Sequence, residues 1–481
     1  MLRKTKIIAT LGPATDSREV IEKLIDRGMN VARLNFSHGS HEDHRRQFDL
    51  VKQVATELDV PIAIMQDIQG PKIRVSRFPG GSVEIEPGSI VTLHPDEGIG
   101  DPGNIYIAYL DDVTMDVGGK IILSDGLIEL ESLEVSQSRI TARVLGGGIL
   151  RDHKGAAFPG ARTRIPIITS KDIADLEFGA KLGVDFVAAS FVNSRSDVET
   201  VRAIVPDTPV IAKIETAVGL ENLDEILECA AGAMVARGDL GVELSMESVP
   251  RAQTEIVERA NAAGRLSIVA TEMLESMISN PRPTRAEVSD IYQSVLDGAD
   301  AVMLSAETAV GKYPTRSVRL MAKVCREAEQ SSNYGRAFGV ETLSHDEAFA
   351  SATAEAAVDT AERVGIDTIV AFTESGTSAR LLAKYRPHAD IYAFTPEPEA
   401  YRRMALYGGV TAIHVDRVPS TDEMLQCAVE ELLDRGIVAD GDGVVIVAGV
   451  PPNQRSSTNL MKLHVIGSFD RLAPEPTDQA E

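Results

Sequence analysis

Eight short apolar runs recur along this chain, each of strand length, with helix-like stretches between them. They are KIIATLG, NVARLNFS and PIAIMQDI near the N-terminus, then DFVAASF, PVIAKIE, GAMVARGD, LSIVAT and AVMLSA. Continuous apolar strands alternating with amphipathic helices imply parallel strands buried on both faces, and eight such units close into a (β/α)8, or TIM, barrel. From about Lys72 the pattern changes to period two with Gly and Pro turns, as in GSVEIEPGSIVTL, KIILSDGLIELESLEV and RITARVLGGGIL, which predicts an inserted all-β domain. The insertion leaves the barrel after its third strand and is expected to form a β-barrel lid. Five later runs, IDTIVAFT, DIYAFTP, VTAIHV, GVVIVAG and LMKLHVIG, predict a separate C-terminal α/β sheet domain. The expected division is a barrel of residues 1–71 and 169–340, a lid of 72–168, a C-terminal domain of 341–475 and a frayed tail of 476–481.

Length and charge narrow the function classes. A chain of 481 residues has room for about three domains. The formal net charge of −24 argues against nucleic-acid or anionic-membrane partners, because such surfaces repel an acidic protein. Anionic substrates would then need local basic sites. Cys229, Cys325 and Cys427 are far apart and lack metal-ligand spacing, so neither a disulfide framework nor a zinc site is expected. The N-terminal apolar run is too short for a signal peptide or membrane span, and a cytoplasmic location is expected.

Barrel active sites are built at the C-terminal ends of the strands, and polar residues collect there in this sequence. Arg33, Asn35 and Ser37 alternate along the second run, so one face presents a guanidinium, an amide and a hydroxyl. In IAKIET, Lys213 and Glu215 share a face, and a buried cation and carboxylate are expensive unless paired or liganded. Asp239 follows Gly238 at the tip of the next strand. Two carboxylates at neighbouring strand ends suit a hard divalent cation that takes its other oxygens from water and a phosphorylated substrate, which favours Mg²⁺. The turn from Arg237 to Gly241 could present backbone N–H groups to an anion. Thr271, Ser305 and Glu307 add hydroxyls and a carboxylate to the same mouth, while His38 reads equally as a hydrogen-bonded spacer. These features define a Mg²⁺-dependent barrel enzyme for a small phosphorylated or carboxylated substrate and leave the reaction class open.

Taken in order, TKIIATLGPAT, MNVARLNFSHG, IQGPKIR, HKGAAFPG, IAKIET, VARGDLGVEL, ATEMLESM, NPRPTRAEVSD and DGADAVMLSAETAVGKYP resemble the pyruvate kinase family. The resemblance implies phosphoryl transfer from phosphoenolpyruvate to ADP, giving pyruvate and ATP, with Mg²⁺ or Mn²⁺ as cofactor. It also implies that Arg33 holds the substrate phosphate, Glu215 and Asp239 bind the metal, and Lys213 stabilises the phosphoryl group in transit. The Gly238 and Asp239 amides with the Thr271 hydroxyl would take the substrate carboxylate, and Asn35, His38 and Arg74 would lie on the nucleotide side. The proton donor to the enolate stays open among Thr271, Ser305 and Glu307. A homotetramer is a further implication.

Departures from the family pattern carry information. Glu272 stands where Gln is common, Ala306 where Gly is common, and Ser194 beside Arg195 where Lys is frequent. The family's monovalent-cation ligands are present as Asn35, Ser37 and Asp67. Lys72, however, replaces the usual Glu, and Ile68, Gln69 and Val75 resemble the K⁺-independent branch, so K⁺ is expected to be dispensable. In the C-terminal domain Thr373, Ser375, Gly376, Thr377 and Ser378 resemble a loop that binds a phosphorylated allosteric effector, although VPPNQRSSTNL lacks the usual Gly-rich character. A carbon–carbon lyase acting on phosphoenolpyruvate is the competing reading, but it would need neither this lid nor a nucleotide.

Overall fold

Each of the eight apolar runs forms a strand in the computed structural model, which describes residues 2–124, 126–136, 138–335, 340, 345–451 and 458–467. The strands are β1 (Lys6–Thr10), β2 (Val31–Asn35), β3 (Ala63–Asp67), β4 (Phe186–Ala189), β5 (Val210–Ile214), β6 (Gly232–Ala236), β7 (Leu266–Ala270) and β8 (Ala301–Leu304). They are parallel, pair in sequence order, and β8 closes back on β1 through Lys6 opposite Ala301. Alternate residues face opposite sides. Val210, Ala212 and Ile214 of β5 pack in the core beneath the surrounding helices, whereas Ile211 belongs to the core inside the barrel with Ile8, Val31, Met65 and Phe186. Lys213 and Glu215 therefore continue the inward row.

Several helices begin where the sequence supplies a hydroxyl and, three residues on, a carboxylate. Ser40 with Asp43, Thr169 with Asp172, Ser194 with Asp197 and Thr284 with Glu287 all form reciprocal capping boxes. Ser194, the departure from the family's Lys, thus opens the helix after β4.

Between β3 and β4 the chain builds a six-stranded sheet and two two-stranded ribbons around Val91, Ile105, Ile121, Leu130 and Ile140. The C-terminal sheet contains β9 (Thr368–Phe372), β10 (Asp390–Thr395), β11 (Val410–His414), β12 (Gly443–Ala448) and β13 (Leu460–Val465). Its order is β11-β10-β9-β12-β13, with only β13 antiparallel. The expected tail 476–481, residues 341–344 and 468–475 of the expected C-terminal domain, and 452–457 of VPPNQRSSTNL lie outside the described residues. No helix among the described residues is long and apolar enough to cross a membrane.

The floor of the barrel is joined to the C-terminal domain by buried charge. Asp185, just before β4, accepts the Ile64 N–H at 2.8 Å and pairs with Arg402 at 2.8 Å. Asp300, just before β8, accepts the Ser267 N–H at 2.9 Å and pairs with Lys384 at 2.5 Å and Arg386 at 2.9 Å. Lys4 donates to the carbonyls of Pro387, His388 and Ala389, and Lys6 to that of Val410 at 2.6 Å. Each carboxylate is thus held by a backbone N–H of the barrel and a cation of the C-terminal domain, while the two lysines are held by backbone carbonyls.

Burial, reinforced by Arg3, lowers Lys6 to about 7. Between that value and the ordinary lysine range the unfolded chain carries the extra proton, so this group makes stability rise with pH across the window. Comparison of the parent with Lys6→Met by urea unfolding is expected to show the parent gaining up to about 1.4 kcal/mol per pH unit from pH 7 toward pH 10. A difference independent of pH would show that Lys6 is buried with its ordinary affinity for protons.

Candidate active site

The inward rows of β2, β3 and β5 end in four charged side chains that meet inside the barrel mouth. The register sets Arg33 against Thr10 on one side and Asn35 against Asp67 on the other. Asp67 is 1% exposed, and one oxygen receives Arg33 Nε at 2.7 Å while the other lies 3.3 Å from Lys213 Nζ. Lys213 also reaches Glu215 at 3.0 Å. The result is a chain of alternating charge, Arg33–Asp67–Lys213–Glu215, that is neutral as a unit.

Burial would push the Asp67 carboxyl up, but Arg33 and Lys213 outweigh it and hold the group below the usual carboxylate range. Burial likewise opposes the charge on Lys213, and Asp67 and Glu215 together keep its ammonium above the ordinary lysine range. Glu215 is shifted upward by its own burial, against the pull of Lys213 and with a further push from Asp239.

Three groups without a place in the sequence reading complete this cluster. Thr10 Oγ1 accepts from Arg33 Nη1 at 2.9 Å and donates to the Leu304 carbonyl at 2.8 Å. Ser190 Oγ accepts from Lys213 at 2.7 Å and donates to the Ile68 carbonyl at 2.7 Å. The Phe191 N–H donates to Glu215 at 2.7 Å from a residue with φ of 55°. The only signal for the two hydroxyls was a small polar residue at a strand tip, in KIIAT and DFVAAS. Gly70, with φ of 67°, lets the chain turn into the lid directly over Ser190, where an added Cβ would stand 2.9 Å from the serine's own.

Asp239 and Gly238 sit in the helical turn Arg237–Glu243 that follows β6. The Gly238 N–H donates to Thr271 Oγ1 at 2.9 Å, and that hydroxyl donates to the Ala270 carbonyl at 2.6 Å. Ser305 begins the turn after β8 with its hydroxyl buried and, among the described residues, without a hydrogen-bond partner. Glu307 accepts the N–H groups of Leu274 and Ser305 at 2.9 and 2.7 Å, tying the loops after β7 and β8 together.

The nucleotide-side and monovalent-cation residues are more dispersed. Asn35 Oδ1 accepts the Ser37 N–H at 3.2 Å, His38 is exposed, and Arg74 donates to the His153 carbonyl at 2.9 Å. Lys72 pairs with Asp239 at 3.2 Å and not with Asp67, whose two oxygens are already taken by Arg33 and Lys213. In the C-terminal domain, Gly376, with φ of 87°, caps the helix Thr377–Lys384. Ser375 and Thr377 share a 2.9 Å hydrogen bond at its start. Thr373 is buried and accepts the Gly376 N–H at 2.9 Å, and Ser378 is buried against Thr458.

Residues 2–318 match the family model for the pyruvate kinase barrel domain, and residues 351–464 match that for the pyruvate kinase alpha/beta domain. Pyruvate kinases of Staphylococcus aureus strains MRSA252, USA300 and COL are each 43% identical over 475 residues, covering 97% of this chain and 81% of the relative. The chain belongs to the pyruvate kinase family.

The family's need for a divalent metal can be compared with the donor set. Among the described residues no group of three or more His, Cys, Asp or Glu could hold a metal ion. Glu215 and Asp239 are hard oxygen donors at adjacent strand ends, and each is balanced by a lysine, Lys213 and Lys72 respectively. Such a pair fits a cation that takes its remaining oxygens from substrate and water.

Asp67→Asn removes the one negative charge between two buried cations. It is expected to cost about 3–5 kcal/mol of stability, read as a lowered urea midpoint. A variant as stable as the parent would mean that Arg33 and Lys213 are neutralised without Asp67.

Proposed function

We propose that phosphoryl transfer in this chain runs through the Arg33–Asp67–Lys213–Glu215 centre, with Mg²⁺ or Mn²⁺ held by Glu215 and Asp239. As a member of its family the chain is a phosphotransferase that converts phosphoenolpyruvate and ADP into pyruvate and ATP, a step of glycolysis. The observation that carries the residue assignment is the ammonium of Lys213, fixed by Asp67, Glu215 and Ser190 at the mouth of the barrel. Phosphoryl transfer asks little covalent chemistry of a protein and much electrostatic positioning.

Arg33 and Lys213 place two fixed cations where the phosphoryl group travels, and Asp67 prevents their mutual repulsion. The metal, when bound, neutralises charge on the phosphoryl oxygens and orients them. Gly238, Asp239 and Thr271 receive the substrate carboxylate. Here the Gly238 N–H donates to Thr271 Oγ1, which itself donates to the Ala270 carbonyl, so the amide and the hydroxyl already lie side by side. Thr271 and Ser305 then stand on the proton path to the enolate, and Glu307 braces the two loops that bear them. Asn35, His38 and Arg74 serve the nucleotide.

Lys72 supplies, in this reading, the positive charge that K⁺ provides in other members, delivering it at Asp239. Ser375, Thr377 and the start of the helix Thr377–Lys384 form the effector loop. Self-association into a tetramer is supported by β13, a sheet edge that exposes Met461, Leu463 and Val465. The cytosol is the expected compartment.

Lys213→Met is expected to slow ADP-dependent pyruvate formation by about 10³-fold while sparing hydrogen exchange at the pyruvate methyl group. Equal loss of both activities would assign Lys213 to the proton-transfer step or to the integrity of the whole site. In tetramethylammonium buffer at matched ionic strength the parent is expected to retain full activity and Lys72→Glu to lose it. Strong activation of the parent by K⁺ would remove Lys72 from this role.

A further inference from the structure

Two consecutive residues at the barrel mouth, Thr271 and Glu272, have φ of 67° and 54°. Neither is glycine, and side chains with a Cβ adopt this left-handed region only where their surroundings impose it. The imposing group is Arg237. Its Nε and Nη2 both donate to the Thr271 carbonyl, at 3.1 and 2.5 Å. Its Nη1 donates to both oxygens of Asp290, at 2.7 and 2.6 Å, and more distantly to Gln253 at 3.4 Å. Nη2 also meets Met273 Sδ at 2.9 Å. The side chain is 8% exposed, so these bonds form largely away from water.

The position of Arg237 in the chain gives this grip its consequence. Its backbone leads directly into Gly238 and Asp239, whose amides face the substrate carboxylate in the reading above. Its side chain holds the carbonyl of the residue whose hydroxyl completes that set, and Gly238 N–H and Thr271 Oγ1 stand 2.9 Å apart. Arg237 thus clamps the C-terminal ends of β6 and β7 in one spacing, with Asp290, on the helix Arg285–Leu296, holding the guanidinium in place. A lysine could not replace it. One ammonium has no planar fork with which to bond a carbonyl along one edge and a carboxylate along another.

We propose that Arg237, oriented by Asp290, is a positioning residue for the carboxylate-binding and proton-transfer half of the reaction, holding Thr271 in its left-handed conformation. The inference rests on the assignment of Thr271 as a substrate contact. It predicts damage confined to that half. Misplacing a reacting group by about 1 Å can cost 10²-fold in rate, so Arg237→Lys is expected to slow pyruvate methyl exchange by about 10²-fold. The same variant raises KM for phosphoenolpyruvate and leaves KM for ADP within about twofold of the parent. Asp290→Asn changes the same parameters in the same direction by a smaller factor.

Both variants are compared with Thr271→Val, and thermal unfolding identifies any that fail to fold; if Arg237→Lys does, Asp290→Asn decides. A lower active fraction or unfolding temperature with parental KM values and a parental ratio of exchange to phosphoryl transfer would make Arg237 a purely structural residue and overturn the proposal. So would a Thr271→Val defect beside unaffected Arg237→Lys and Asp290→Asn. Parental kinetics in Thr271→Val would instead overturn the assignment of Thr271 itself.

Discussion

A single carboxylate, Asp67, makes the rest of the site possible. Arg33 and Lys213 come from strands on either side of it and project into the same small interior, where two unscreened cations would repel strongly. Asp67 gives one oxygen to each. Asp67 is held inside the ionised range by those cations, and together with Glu215 it keeps the Lys213 ammonium charged. The arrangement is therefore mutual, and Glu215 extends it to the end of β5.

The same economy governs the opposite end of the barrel. Asp185 and Asp300 each accept a backbone N–H from a neighbouring strand and a cation from the C-terminal domain. Lys384 closes the helix that begins at the effector-like loop, and its ammonium is completely buried against Asp300 at the foot of β8. The top of β8 carries Ser305 and, in the turn beyond it, Glu307. One strand thus runs from the domain boundary to the mouth of the barrel.

At the mouth, strain is concentrated in the backbone. Phe191, Thr271 and Glu272 all lie in the left-handed region, and each adjoins a group that binds Glu215, Gly238 or Arg237. Such conformations persist where several interactions over-determine them. Here two of those interactions, from the Phe191 N–H to Glu215 and from Arg237 to the Thr271 carbonyl, are charge-assisted hydrogen bonds, which are stronger than neutral ones.

Read alone, the sequence determined the eight-stranded barrel, the all-β insertion after its third strand and the C-terminal sheet, because each rests on local periodicity that burial on one or two faces imposes. It also determined that Arg33, Lys213, Glu215, Asp239 and Thr271 stand at strand ends, since parity and spacing along a strand are one-dimensional properties. The tertiary structure alone decided who partners whom. Thr10, Ser190 and Arg237 carry no periodic signal, and their roles arise from residues 23, 23 and 34 positions away. Lys72 meets Asp239 and not Asp67 for the same reason: a hinge residue's reach depends on how the lid leaves the barrel, and the two oxygens of Asp67 are filled from β2 beside it and from β5, two strands along, which the curvature of the barrel brings within reach.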